Sequence, residues 1–179
     1  MEKLQNTRCY LAGNLEYAKG NPEEWRDYIK EELSPLGITF LDPTKEMFEG
    51  SDSESLEPTK CRKRDRENGN YEKLHEIMKE IVRRDLRAID LSDFVIFKLH
   101  PKNPTYGSTH ELIVASQQRK PIFIIVDDIK EFPLWLFGLV KERCIFHNMD
   151  EVIDHLTDLN TGKVEMDETY WRLLNYEKR

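Results

Sequence analysis

Glu111 is the residue in this sequence that is best placed to do chemistry. The stretch from Asn103 to Val126 predicts a loop, then a helix, then a buried strand, with Glu111 in the first turn of the helix. A carboxylate there is favoured by unpaired backbone N–H groups and by the helix dipole. Two interpretations follow: Glu111 caps the helix, or it is a catalytic carboxylate at the mouth of a sheet.

The elements that must position Glu111 alternate between strands and helices. Short apolar runs predict five strands, over residues 8–13, 38–44, 94–99, 121–126 and 144–147. Helical spacing of apolar residues and helix start signals predict helices over residues 21–37, 71–93, about 108–118, 149–159 and 167–177. Runs such as "FVIF" and "IFIIV" lack polar alternation, which is typical of strands covered on both faces.

This alternation predicts an α/β fold. We expect a three-layer sandwich, flavodoxin- or Rossmann-like, with a roughly five-stranded parallel sheet. Ligands of such folds bind outside the carboxyl ends of the strands, where the strand order reverses. With a flavodoxin-like order that crevice lies between strands one and three. The loop after Gly13 and the loop from His100 to Glu111 would then meet there.

Residues 45–70 have a different composition from the rest of the chain. The stretch is polar and shows no sustained period. Loops of this length in a compact domain are usually functional lids or disordered insertions. We therefore predict one domain over residues 1–179, with a polar loop or lid at about 45–70 and C-terminal helices at about 149–177.

Charge and composition exclude some function classes. The 179-residue chain has a net charge of −7, whereas nucleic-acid binders usually carry a basic balance. The basic cluster "KCRKRDR" (60–66) contains and precedes acids, so we expect a solvated loop there and no polynucleotide partner. No run approaches the length that spans a membrane, so no membrane partner is expected either.

The cysteines predict a reduced compartment. Cys9, Cys61 and Cys144 form no C-x-x-C pair, and Cys9 and Cys144 lie in apolar runs typical of core residues. No cysteine or histidine spacing indicates a metal site. The N-terminus lacks the apolar run of a signal peptide. A soluble, cytoplasmic protein is expected.

Four segments together resemble the nucleoside 2-deoxyribosyltransferase family. "CYLAG" is similar to its first strand, and "RDLRAIDLSDFVIF" to the element that leads into its third strand. "YGSTHELIVASQQRKPIFII" resembles its Gly-Ser/Thr-x-x-Glu-Leu/Ile element with the following helix and strand. "GNLEYAKGNPEEW" with "LDPT" is similar to a phage and bacterial branch. The resemblance covers roughly residues 8–148.

The resemblance implies a mechanism. A carboxylate attacks the anomeric carbon of a 2'-deoxynucleoside, expels the base and forms a glycosyl ester, which a second base or water then resolves. Glu111 matches the nucleophile. Tyr10 matches the tyrosine that holds the nucleophile, and Asp85 matches the acid that contacts and protonates the departing base. In the structural interpretation, Tyr10 is a half-buried strand tyrosine, and Asp85 is a solvated helix acid paired with Arg83 or Arg84.

The substrate-binding residues implied by the resemblance lie in the loops around the crevice. Asp42 precedes a proline turn, so an Asx turn is its structural interpretation. Gly13 and Gly107 would let the backbone approach a ligand, or serve as turn glycines. The predicted binding set comprises Gly13, Asn14, Asp42, Thr105, Gly107, Ser108 and Thr109.

One departure from the family pattern concerns the substrate. The transferases commonly carry an aspartate six residues before the nucleophile, where this chain has Thr105. A related branch, the 2'-deoxynucleoside 5'-monophosphate N-glycosidases, has a small hydroxyl residue there that meets the phosphate. Ser108 and Thr109 add donors near a helix start, a natural anion site. The glycine-rich first loop of those hydrolases is absent.

The resemblance implies a small nucleoside or nucleotide substrate, a free nucleobase as second partner, no cofactor, and a homo-oligomer. A binding module that keeps the crevice without catalysis, as a nucleotide sensor, is the alternative from another class.

Overall fold

A five-stranded parallel sheet forms the centre of the fold. The structure, a computed structural model, describes residues 2–16, 20–51, 53–103, 105–165, 167 and 171. The strands are β1 (Arg8–Gly13), β2 (Thr39–Leu41), β3 (Phe94–Lys98), β4 (Ile122–Ile125) and β5 (Ile145–Phe146). Their order is β2-β1-β3-β4-β5 and every neighbouring pair is parallel. The predicted fold class and the flavodoxin-like order are confirmed.

Helices cover both faces of the sheet. They are α1 (Glu24–Leu33), α2 (Leu56–Glu67), α3 (Tyr71–Leu91), α4 (Tyr106–Gln117) and α5 (Met149–Thr161). Because side chains alternate along a strand, Cys9 and Leu11 of β1 pack with α1 and α5, whereas Tyr10 and Ala12 pack with α3 and α4. Tyr10 therefore points toward the two helices that carry Asp85 and Glu111.

The prediction of a polar loop over residues 45–70 is wrong for its second half, which forms α2. This helix packs against α3 but buries none of its side chains, so no apolar period marks it in the sequence. Its support is local. Glu57 lies in the first turn and pairs with Lys60, while Arg64 and Arg66 lie in the last turn, where the helix dipole favours cations.

Helix α4 starts two residues earlier than the sequence suggests. Thr105 occupies the position before its first turn, and that turn runs from Tyr106. Glu111 consequently lies in the second turn, and its carboxyl accepts a hydrogen bond from a side chain of another element. The capping interpretation of Glu111 is therefore wrong, since dipole and capping effects fade beyond the first turn.

The aromatic segment after β4 lies largely at the surface. It forms a short 3-10 helix (Leu134–Gly138) in which Trp135 is 80% exposed and Phe137 is 46% exposed. Of the helix predicted over 167–177, only Asp167 and Trp171 are described, so the single-domain prediction for 1–179 stays a prediction. Within the described ranges, no helix combines the length and apolar character needed to cross a bilayer.

Candidate active site

A cavity of about 320 Å³ opens at the carboxyl ends of the strands, as the reversal of strand order between β1 and β3 predicts. Its volume lies at the lower end of the range for small-ligand sites. Gly13 at the end of β1, Pro43 after β2, and residues of α2, α3 and α4 form its walls. Its lining residues include the carboxyl side chains of Glu54, Asp85 and Glu111.

Tyr10 and Glu111 form the first contact of the site. The Tyr10 hydroxyl donates a hydrogen bond of 3.1 Å to Oε1 of Glu111. Tyr10 is fully buried on β1, so its ring cannot move without disturbing the core between the sheet and α4. This contact fixes one carboxylate oxygen of Glu111 and leaves the other oxygen available to the cavity that Glu111 lines.

The surroundings of Glu111 raise the pKa of its carboxyl to about 7. Removal of the carboxyl from water is the largest cause, and the neighbouring Glu54 adds to it. The hydrogen bond from Tyr10 and the charges of Arg26 and Arg84 act in the opposite direction. Because α4 begins earlier than predicted, Tyr10 and the two arginines, rather than a helix start, favour the charged form of Glu111.

Asp85 lies in α3 with its carboxyl against two neighbours. Arg84 donates to Oδ1 of Asp85 from Nε at 2.9 Å and from Nη2 at 2.7 Å. The same Nη2 donates to Oε1 of Glu54 at 2.6 Å. The predicted pairing of Asp85 with Arg84 is thus present, but both residues are buried rather than solvated.

The pKa of Asp85 is raised to about 9. Burial is the largest cause, followed by the negative charges of Glu54 and Glu111, and Arg84 offsets only part of the effect. A carboxyl with this pKa holds a proton at neutral pH. Asp85 can therefore donate a proton into the cavity, while Glu111 is close to its point of ionisation.

Asp42 does not line the cavity, and its predicted binding role is not supported. Its Oδ1 accepts hydrogen bonds from the backbone N–H and the hydroxyl of Thr44, and its Oδ2 pairs with Lys30 at 2.8 Å. The carboxylate also lies 3.6 Å from Nε of Arg26. Asp42 forms an Asx turn inside an ion-pair cluster, which was its structural interpretation.

Arg26 ties this cluster to the end of β1. Its guanidinium is fully buried and donates to the backbone carbonyls of Leu11 and Gly13 at 3.3 and 3.2 Å. Gly13 itself lines the cavity, and a Cβ atom there would lie 3.1 Å from Trp25 and 3.3 Å from the Lys98 carbonyl. Packing alone is sufficient reason for glycine at this position.

The remaining predicted binding residues divide into two groups. Thr105, Gly107 and Ser108 line the cavity, and the Thr105 hydroxyl donates to the Ser108 hydroxyl at 2.8 Å. Thr109 is exposed and does not line it. Asn14 is buried behind the wall, where its amide donates to the Asn103 carbonyl at 3.3 Å and joins the two loops.

Helix α2 supplies a basic wall that the sequence did not reveal. Arg62, Lys63 and Arg66 line the cavity. Lys63 donates to the backbone carbonyl of Glu16 at 2.6 Å, and Arg66 pairs with the Glu16 carboxylate at 2.9 Å. These contacts join α2 to the loop that follows β1. His110 of α4 also lines the cavity.

Comparison with known proteins places this site within a family. The profile of the family described as nucleoside 2-deoxyribosyltransferase matches residues 9–166. The chain belongs to that family. Its match extends from β1 through α5 and includes Tyr10, Asp85 and Glu111.

Solved structures similar to this family member include a CMP N-glycosidase, BcmB, from Clostridium botulinum. It is 16% identical and covers 84% of this chain and 97% of its own chain, with a TM-score of 0.48. A conserved protein from Enterococcus faecalis V583 is 20% identical over 86% of this chain and 87% of its own, with a TM-score of 0.46. No curated protein sequence matches the chain.

The carboxyls that the structure describes are not grouped as metal ligands. Across the described residues, no cluster of three or more histidine, cysteine, aspartate or glutamate side chains has an arrangement suited to a metal ion. The cavity brings together the carboxyl of Glu111, which the Tyr10 hydroxyl holds, the carboxyl of Asp85 with its raised pKa, and the cationic side chains of α2. These groups are suited to nucleophilic attack, proton donation and anion binding respectively.

Proposed function

We propose that this family member cleaves the N-glycosidic bond of 2'-deoxynucleosides and transfers the deoxyribosyl group to a second nucleobase. The observation that carries the proposal is the arrangement of Glu111 and Asp85 on one cavity. Glu111 is held by Tyr10 at 3.1 Å and is near its ionisation point at neutral pH, while Asp85 holds a proton there. A nucleophile and an acid with separated pKa values are what a retaining double displacement needs.

In the first half of the reaction, a Glu111 carboxylate oxygen attacks the anomeric carbon and the bond to the base breaks. The electron pair of that bond goes to the base, which takes the proton of Asp85. Because the sugar lacks a 2'-hydroxyl, positive charge on the anomeric carbon develops more easily, so a single nucleophile suffices.

In the second half, a new base or water attacks the same carbon and releases Glu111. Asp85, now ionised, accepts the proton of the incoming group. Tyr10 stays hydrogen-bonded to the carboxyl of Glu111 in both halves. It orients the nucleophile before attack and stabilises the carboxylate as it leaves.

Chromatography of products tests this proposal. The protein is incubated with 2'-deoxynucleosides, with and without an added free base, beside Glu111→Gln and a control Glu142→Gln, an exposed glutamate outside the cavity. We expect a new nucleoside with the wild type and the control, and a loss of about 10³-fold or more in Glu111→Gln.

Two outcomes would contradict the transferase. Retained exchange in Glu111→Gln would remove Glu111 from the nucleophile role. Stabilisation by nucleosides without any product, in the wild type, would instead favour the non-catalytic binding module.

A second candidate function is hydrolysis of 2'-deoxynucleoside 5'-monophosphates. Two observations favour it: Thr105 and Ser108 present hydroxyls to the cavity at the start of α4, and Arg62, Lys63 and Arg66 face the same cavity from α2. Hydroxyls, a helix start and cations together suit a phosphate group.

The variant Arg62→Gln/Arg66→Gln separates the two functions. If a 5'-phosphate is part of the substrate, KM for monophosphates rises about 10-fold or more while the rate with plain nucleosides is unchanged. Arg64→Gln is the matched control, because Arg64 lies on the exposed side of the same helix and does not line the cavity. Equal effects on both substrate classes would exclude a phosphate contact.

A further inference from the structure

Glu54 lines the cavity, although no sequence motif singles it out. It precedes α2, and its backbone N–H donates to the Pro43 carbonyl at 2.7 Å, which anchors it to the turn after β2. Its side chain is only 15% exposed and lines the cavity with Asp85 and Glu111. A glutamate this far removed from water in an otherwise polar, charged segment indicates a specific partner.

The partner of Glu54 is the Arg84–Asp85 pair of α3. One guanidinium nitrogen, Nη2 of Arg84, reaches Oε1 of Glu54 at 2.6 Å and Oδ1 of Asp85 at 2.7 Å. One nitrogen therefore bridges the two carboxyls, so their accepting oxygens are close neighbours. Two carboxyls held this close repel each other if both are ionised, and a proton on one of them removes that repulsion.

The charges of this cluster balance when it holds one proton. Arg84 contributes one positive charge, so one carboxylate and one carboxylic acid leave the cluster neutral. If both carboxyls were ionised, one guanidinium would face two buried negative charges, with Glu111 adding a third across the cavity. Like charges at such a distance disfavour joint ionisation.

We propose that Glu54 is a positioning residue that shares one proton with Asp85 and so keeps Asp85 available as the acid for the departing base. The inference rests on the proposed function for the use of that proton. Without Glu54, Arg84 and Asp85 would form an ordinary buried ion pair, in which Asp85 is ionised and has no proton to give. The negative charge of Glu54 raises the pKa of Asp85 and so opposes the lowering of that pKa by Arg84.

The proton balance of bond cleavage fits this arrangement. Glu111 loses its negative charge when its oxygen bonds to the anomeric carbon, and Asp85 gains one when its proton moves to the base. The three carboxyls therefore carry two negative charges before and after the step. Arg84 then balances both carboxylates of the pair until the incoming base returns a proton to Asp85.

Other ionisable groups face the pair from every element around the cavity. Tyr10 lies on β1 and Glu111 on α4, and both interact electrostatically with Asp85. The remaining charged or titratable residues on the cavity wall are Glu16, Arg62, Lys63, Arg66 and His110. None of these residues is itself changed in a Glu54 variant, so a change in the titration of Asp85 reports on the loss of Glu54.

The pH dependence of base release tests the role of Glu54. In Glu54→Gln, which keeps the shape and removes the charge, we expect the alkaline limb of the rate profile to move down by about 1–3 pH units. Base release above that limb then falls about 10-fold per unit. The acid limb set by Glu111 also moves to lower pH, because Glu54 raises the pKa of Glu111. Glu57→Gln, on the exposed side of α2, is the matched control and should leave the limb in place.

A readout independent of turnover separates this inference from the proposed function. Infrared spectra follow the carboxylic acid band of Asp85, assigned by its loss in Asp85→Asn. We expect that band to disappear at lower pH in Glu54→Gln than in the wild type. An unchanged titration would overturn the shared proton. A lowered titration in a protein that releases no base from any nucleoside would support the pair and refute the proposed function.

Arg84→Gln removes the positive charge from the cluster, so it should shift the titration of Asp85 in the opposite direction. Removal of the cation should move the titration of Asp85 to higher pH, and movement to lower pH would overturn the proposal. This variant also serves if Glu54→Gln does not fold, which circular dichroism would show.

Discussion

At the scale of single residues, the reactive property of Glu111 comes from a balance of opposing contacts. Burial and Glu54 raise its pKa to about 7, while the Tyr10 hydrogen bond and two arginines lower it. A carboxylate with this pKa is a better nucleophile than an ordinary one, because its electron pair is less stabilised by solvent. Small changes around it should therefore alter the pH at which the protein works.

The variant Tyr10→Phe changes one contact in that balance. Loss of the hydroxyl removes a hydrogen bond to the charged form of Glu111, so the pKa of Glu111 rises further and the acid limb of the rate profile moves to higher pH. We expect kcat/KM at about pH 6 to fall 10- to 100-fold, the worth of one hydrogen bond to a charged group. Rate measurements across pH check this.

Tyr28→Phe provides the control for that experiment. Tyr28 also donates to a carboxylate, Asp150, at 2.7 Å, but it lies on α1 and does not line the cavity. Its loss should leave the rate profile unchanged. A Tyr10→Phe profile that coincides with the wild type would contradict the positioning role of Tyr10.

At the scale of elements, the end of β1 depends on a glycine. A Cβ at Gly13 would lie 3.1 Å from Trp25 and 3.3 Å from a backbone carbonyl. Gly13→Ala should lower the free energy of unfolding by about 1–3 kcal/mol, because neither neighbour can move freely. Since 1 kcal/mol shifts Tm by about 2–4 °C at this chain length, calorimetry can measure the effect.

Gly107→Ala is the matched control and should have the opposite sign. A Cβ at Gly107 meets no atom within 4 Å. Alanine within a helix is favoured over glycine by roughly 0.5–1 kcal/mol, so Tm should rise slightly. A destabilised Gly107→Ala together with an unaffected Gly13→Ala would contradict this account of the two positions.

Elements with buried faces could be predicted from the sequence, whereas α2 could not. Apolar runs predict the strands, and helical spacing of apolar residues predicts α3. The positions of these elements determine where Tyr10, Asp85 and Glu111 meet. Helix α2 buries nothing, so its residues carry no period. Glu54 was missed for a related reason: its role depends on Arg84, thirty positions away in the sequence, and no local pattern contains that contact.

At the scale of the whole molecule, the site should make the stability of the fold depend on pH. Asp85 and Glu111 have pKa values of about 9 and about 7, above those of unfolded chains. The folded protein therefore binds more protons than the unfolded one above about pH 4. The contribution of these two groups to stability falls as pH rises through that window, up to about pH 9.

Asp85→Asn should therefore stabilise the fold at alkaline pH. At about pH 8 we expect a Tm several degrees above that of the wild type, and the difference should shrink toward about pH 3, where Asp85 is mostly protonated in both states. Thermal unfolding at both pH values measures this. Asp154→Asn, an exposed control, should match the wild type. A variant less stable than the wild type at about pH 8 would contradict the argument.

Helix α2 also has a consequence for protein engineering. Every one of its residues is described and none is buried, yet Thr59 and the three cations Arg62, Lys63 and Arg66 line the cavity. Replacing those three side chains leaves the hydrophobic core untouched, so substitutions there cost little folding free energy. A library randomised at Arg62, Lys63 and Arg66 could alter which leaving group or sugar the cavity accepts while most of its members still fold.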